Sequence, residues 1–233
     1  IKYVKRIGAV FGQKSQLIWD IPPIDSFAMN KAIYDIDNHD YEKRLKEMTE
    51  LFDIEEVIHK PTRVLSLGER MKCEFVMSML HQPEIVFLDE PTIGLDVIAK
   101  AKIREVIGEM NRRGTTFILT THDLEDVEQL AHRVIIINHG KKVFDDELQS
   151  LKSTLGNKKI ITLSLAEDYT AKDLGGVEVI SGDNPRKISV ELDLDKQGIR
   201  EFLNSVNETV SFMDISIKEL PMDRIITKIY NEE

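Results

Sequence analysis

The chain has 233 residues, 42% of them hydrophobic, enough apolar material for one substantial core and a second, smaller one. Lys and Arg number 31 against 41 Asp and Glu, a formal charge of −10, so no overall positive field would gather nucleic acid, and no nucleic-acid partner is expected. Cys73 stands alone, which removes any disulfide framework and suits a reducing compartment, and the longest aliphatic runs fall far short of the roughly 20 residues of a spanning helix.

Residues 4–11 (VKRIGAVF) read as a short strand, and the consecutive Pro22 and Pro23 mark 12–23 as a loop. From Asp25 to about Phe52 the pattern is helical. Ser26 is placed to cap a first segment, and Leu45, Met48, Leu51 and Phe52 share one stripe of a second. Met71, Phe75, Met79 and Leu80 predict a helix from about Glu69 that Pro83 stops. EIVFLDEP at 84–91 is a continuous apolar run ending in acids, the pattern of a strand buried on both faces.

Residues 99–114 predict an amphipathic helix ended by Gly114. TTFILTTHD at 115–123 predicts another buried strand, 123–131 a short helix, HRVIIIN at 132–138 a third strand, and 139–145 a turn and hairpin. This alternation predicts an α/β fold with a mostly parallel sheet covered by helices. After about Leu155 the texture changes to period-two strands at 160–165, 177–180 and 188–194, with SGDNP at 181–185 as a turn. A helix around 196–206, a strand around 209–217 and a helix over 221–230 complete a small α+β unit. The expected domains are therefore 1–155, with a helical subdomain over about 20–83, and 156–233.

The chemistry-bearing residues gather at strand ends. The 84–91 strand delivers Asp89 and Glu90 to the carboxyl edge of the sheet, where open α/β folds bind ligands. Phosphoryl chemistry uses such a pair, one carboxylate for Mg²⁺ and the next to orient or deprotonate a water; the structural alternative is a helix cap or solvated turn. The next buried strand presents Thr120, Thr121, His122 and Asp123 at its own end, and His122 either contacts a phosphate or starts the following helix. In LSLGE at 65–69, Ser66 and Glu69 have the spacing of a capping box, while Gly68 would let backbone N–H groups approach a phosphate.

The order LSLGE, about 15 residues of helix, Pro83, IVFLDEPTIGLD and then ILTTHD resembles the ATPase subunits of ABC transporters. The resemblance implies a P-loop NTPase-like fold that uses ATP and Mg²⁺. It assigns Asp89 to Mg²⁺, Glu90 to polarising the attacking water and His122 to the γ-phosphate. Ser66 and Gly68 would bind the γ-phosphate of a nucleotide held mainly by a second ATPase subunit, in a homodimer. IGLD at 93–96 is similar to the D-loop, which places Asp96 among the nucleotide-facing residues. IGAVFGQKSQLIWDIP looks like the strand into the Q-loop, with Gln13 as the metal- and nucleotide-sensing glutamine and Gln16 as the alternative. Leu67 and Glu69 depart from the usual Gly and Gln.

FGQKSQLIWDIP, LSLGER, EPTIGLD and TTHDLEDVE together resemble the branch exporting drugs, antibiotics or polysaccharides. Transmembrane permease subunits would dock on the segment from Trp19 to about Lys60, placing the protein in the cytoplasm, peripheral on the inner face of the cell membrane. The nearest approach to a P-loop, GAVFGQKS at 8–15, has Gln13 where the second Gly belongs and runs into prolines. In the family that motif precedes the Q-loop, so a chain truncated before it, poor in ATP binding and hydrolysis, is expected; the alternative is an ABC-fold scaffold without ATPase activity.

Overall fold

The computed structural model of the protein describes residues 3–153, 156–169, 174, 177, 179–181 and 184–231. Ile1, Leu155, Glu178 and positions 182–183 of the expected SGDNP turn lie outside them. The chain forms two compact units, Ile1–Leu130 and Ala131–Glu233.

The first unit is built on a parallel sheet of β1 (Ile7–Phe11), β2 (Ile85–Asp89) and β3 (Thr116–Thr120), in that order. Between β1 and β2 run α1 (Pro23–Tyr34), α2 (Asn38–Phe52) and α3 (Leu67–Met79); α4 (Val97–Arg112) joins β2 to β3, and α5 (Leu124–Leu130) follows. Helix α1 begins three residues before Ser26. Pro23 fits a first helical position because its fixed φ is helical and its missing N–H needs no partner there. Ser26 is therefore no cap; it lies inside the helix, and its Oγ accepts the Ile18 N–H at 3.2 Å. Asp37 caps α2 by accepting from the N–H groups of His39 and Asp40, which holds its carboxyl below the usual range.

The core of this unit joins Val10, Val86 and Leu88 of the sheet to Phe27, Phe52, Phe75, Leu80, Ile103 and Val106 of the helices. Only one sheet face is covered among the described residues: Val86 and Leu88 are buried, whereas Phe11, Phe87 and Ile118 are exposed by 40–47%. The apolar runs that predict strands buried on both faces thus produce strands with one buried face. Their apolar content reports what the strands can bury, whereas the helices described here all serve the side of Val10, Val86 and Leu88.

The second unit corrects a further expectation. HRVIIIN is not a strand of the parallel sheet: β4 (Arg133–Asn138) pairs antiparallel with β5 (Lys141–Glu147). His139 and Gly140 form the tight turn, both at positive φ, a geometry that closes hairpins and leaves no length for a crossover. Helix α6 (Leu148–Ser153) follows. The texture change near 155 falls after this hairpin, whereas the compact unit already begins at Ala131, so the two criteria divide the chain at different points. Next come β6 (Lys158–Leu165), β7 (Val179–Ser181), β8 (Lys187–Asp193), α7 (Ile199–Asn207), β9 (Phe212–Glu219) and α8 (Met222–Asn231). The four strands form an antiparallel sheet in the order β7-β8-β6-β9, and Ile161, Leu163, Val190, Leu192, Phe202 and Val206 form its core.

Candidate active site

The sheet register assembles the site. Phe11, Asp89 and Thr120 are direct neighbours across β1, β2 and β3, so all three strands end at one level. At that level the Thr120 hydroxyl donates to Asp89 Oδ1 at 2.6 Å, the Glu90 N–H donates to the Thr120 carbonyl at 3.0 Å, and the Gly12 N–H donates to the Asp89 carbonyl at 2.7 Å. The three strand ends are thereby laced together by groups that flank the two acids.

Glu90 adopts φ 51°, a left-handed conformation unusual for a residue with a side chain, and such strain is retained where the surroundings over-determine it. Its Oε2 lies 2.9 Å from His122 Nδ1. The hydrogen bond to Glu90, then its charge, hold the His122 imidazole above its ordinary pKa. Gly12 makes this edge possible, because a Cβ there would stand 2.1 Å from the Glu90 carbonyl oxygen. Gln13 is exposed in the turn that follows, which the Lys14 N–H closes by donating to the Phe11 carbonyl at 3.3 Å. Gln16 is occupied elsewhere, its Nε2 donating to the Ala9 carbonyl at 2.7 Å.

Ser66, Gly68 and Asp96 form a second group, at the starts of α3 and α4. Ser66 Oγ accepts the Glu69 N–H at 3.2 Å and the Glu69 carboxylate accepts the Ser66 N–H at 2.8 Å, a complete capping box. The Ser66 N–H bond is the main cause holding the Glu69 carboxyl below its usual range. A Cβ on Gly68 would come within 3.0 Å of the Ala99 Cβ, so this glycine lets the first turns of the two helices approach. Asp96 caps α4, accepting the Ala99 N–H at 2.8 Å.

A buried network supports the edge, and sequence reasoning missed it. Asp126 is fully buried and accepts from Arg104 Nε at 2.6 Å and from the Thr92 hydroxyl at 2.5 Å, with Thr121 Oγ1 at 3.3 Å. Lys100 Nζ pairs with Asp123 at 2.5 Å, and the Asp123 N–H donates to Thr121 Oγ1 at 2.9 Å. Residues 92, 121 and 123 flank Glu90 and His122, so the network fixes the backbone on either side of that pair. Its signal was available: Arg104 adjoins the apolar stripe of Ile103, Val106, Ile107 and Met110, where a charge requires a buried partner.

The donor set suits Mg²⁺. Asp89, Glu90 and the Gln13 carboxamide offer hard oxygen atoms at one edge, and Mg²⁺ is usually held by one or two carboxylates together with phosphates rather than by an all-protein cage. No group of three or more His, Cys, Asp or Glu side chains able to hold a metal occurs among the described residues, as that mode of binding allows. The segment GAVFGQKS forms most of β1 and a turn, with no helix between it and Pro23, so it provides no phosphate cradle.

Residues 23–126 match the family described as "AAA domain, putative AbiEii toxin, Type IV TA system". An uncharacterised ABC transporter ATP-binding protein of Alkalihalophilus pseudofirmus is 33% identical over 129 residues, covering 55% of this chain and 48% of that protein. The ABC transporter ATP-binding protein NatA of Bacillus subtilis is 27% identical, covering 63% of this chain and 60% of NatA. The daunorubicin/doxorubicin resistance ATP-binding protein DrrA of Streptomyces peucetius is also 27% identical, covering 78% and 57%. The chain thus spans about half to three-fifths of the length of these relatives. Among solved structures, an ATP-binding subunit of an ABC transporter superposes with a TM-score of 0.60 at 22% identity, over 66% of this chain and 64% of that one.

Proposed function

This chain is a homologue of ABC transporter ATP-binding proteins, and on that premise we propose that it supplies the magnesium-binding, water-polarising and partner-facing parts of an ATP-hydrolysing transporter subunit. One observation carries the reading: Asp89, Glu90 and His122 meet at a single sheet edge, with Glu90 and His122 bonded at 2.9 Å.

Asp89 and Gln13 are assigned to Mg²⁺, which when bound neutralises charge on the transferring phosphoryl group. Glu90, fixed by its backbone and by His122, is assigned to accept a hydrogen bond from the attacking water. His122, whose pKa is raised by the hydrogen bond to Glu90, is assigned to offer an N–H from its other ring nitrogen to a phosphate oxygen. Ser66 and Gly68 at the start of α3, and Asp96 at the start of α4, are assigned to the nucleotide of a second subunit. Glu69 already fills the Ser66 N–H, so a phosphate arriving there displaces or bypasses a carboxylate. That makes ATP affinity at this surface lower than a Gln would give.

The partners proposed are permease subunits and a second copy of the ATPase, at the cytoplasmic face of a membrane. No helix among the described residues is long and apolar enough to cross one. Export is proposed as the direction on the similarity to DrrA, whose name associates it with drug resistance. A scaffold without turnover is the second reading, favoured by the strand-and-turn structure of GAVFGQKS. Magnesium-dependent ATP hydrolysis by the transporter subunit that carries this sequence separates the two. The enzyme reading requires turnover that falls by about a hundredfold or more in Asp89→Asn, in line with loss of an electrostatic anchor. Turnover unaffected by Asp89→Asn overturns the site, and no turnover at all favours the scaffold.

A further inference from the structure

Glu74 occupies the middle of α3, is only 2% exposed, and lies on the buried stripe with Met71, Phe75 and Met79. No ion pair reaches it among the described residues. All its hydrogen bonds come from one short stretch: the Ser15 hydroxyl donates to Oε1, the Gln16 N–H stands 2.9 Å from Oε1 and 3.2 Å from Oε2, and the Leu17 N–H stands 3.4 Å from Oε1. Burial raises the Glu74 pKa, and those donors together with nearby Arg70 act against it. A methionine or leucine would fill this stripe position without desolvating a charge. What the carboxylate adds is a grip on the backbone of residues 15–17.

That grip bears on Gln13. The stem of its turn is fixed to the sheet, with Gly12 bonded to Asp89 and Gln16 Nε2 bonded to Ala9, while the return is fixed to α3 by Glu74. We infer that Glu74 is a positioning residue that holds Gln13 at the sheet edge beside Asp89 and ties that placement to α3, the helix whose first turn carries Ser66 and Gly68. Ser66 and Glu74 are eight residues apart, roughly 12 Å along one rigid helix. A displacement of α3 is thereby transmitted to the turn bearing Gln13. The inference rests on the reading of Asp89 and Gln13 as the magnesium side of the site.

Two measurements on this chain test it. The first is amide hydrogen exchange. In Glu74→Ala the Gln16 and Leu17 amides exchange about tenfold faster or more, while β1 and β2 amides keep their protection. Glu74→Gln, whose carboxamide oxygen still accepts, retains most of the protection and covers the case in which the alanine variant fails to fold. Unchanged exchange at Gln16 and Leu17 in both variants overturns the anchor.

The second is binding of Mn²⁺ alone, followed by the resonance of the free ion. Gln13→Ala and Glu74→Ala each weaken binding by about tenfold, the scale of losing an orienting partner at a metal site. The double variant is no weaker than either single one, and Glu74→Gln restores affinity, because both changes act through one ligand. Additive losses, or no effect of Glu74→Ala beside a clear effect of Gln13→Ala, overturn the positioning role. If neither Gln13→Ala nor Asp89→Asn alters Mn²⁺ binding, the magnesium reading fails and takes that role with it, while the exchange rates still decide the anchor.

Discussion

Glu90 and His122 form a pair whose properties follow from where the main chain puts them. The pairing raises the His122 pKa, so its contribution to stability is fully present below the unfolded value near 6.5 and is lost as pH rises through the higher folded value. An NMR titration is expected to find the His122 midpoint raised above its ordinary value in the wild type and returned towards it in Glu90→Gln. No change on removing Glu90 would mean that the 2.9 Å contact is not kept in solution. Gly12→Ala acts on the same pair through the backbone, since the added carbon cannot share space with the Glu90 carbonyl oxygen. It costs about 1–3 kcal/mol of stability, by the strain of overpacking, and lowers the His122 midpoint as the pair separates. Chemical denaturation and the same titration check both effects.

At the scale of elements, the Arg104–Asp126 pair joins α4 to α5. Asp126→Ala leaves a guanidinium 7% exposed without its principal partner, for which about 3–5 kcal/mol is the usual penalty. Arg104 also lies 3.1 Å from the Glu125 carboxylate and 3.6 Å from that of Asp123, and a loss of under about 1 kcal/mol in an equilibrium melt would show that these two suffice. How legible such elements are in the sequence depends on whether their causes are local. The α3 helix and its cap follow from Ser66, Glu69 and a stripe at helical spacing, and β2 and β3 from their apolar runs. Ser26 misled because Pro23 can begin a helix as well as end one. HRVIIIN misled because an apolar run does not say which strand it will pair with; the His139–Gly140 turn decides that. Glu74 was passed over although it is an acid at a buried helical position, since its partners come from a loop that no periodicity marks; Asp126 was passed over although Arg104, its partner on α4, stands beside an apolar stripe.

For the whole molecule, two units with separate cores imply separate stabilities. Residues 131–233 contain Ile161, Leu163, Val190, Leu192, Phe202 and Val206 packed on one another, so this fragment alone is expected to fold and melt cooperatively; a broad, non-cooperative melt would show that its core is incomplete. The first unit differs in presenting Phe11, Phe87 and Ile118 on an open sheet face beside the acids. The edge of β1, β2 and β3 proposed to be hydrolytic borders that face. The most direct test is single-turnover ATP hydrolysis by the Glu90→Gln variant of the protein. The account predicts nucleotide binding retained and hydrolysis reduced by about a hundredfold or more, as removal of a group acting on the attacking water requires. Hydrolysis at the wild-type rate would contradict it.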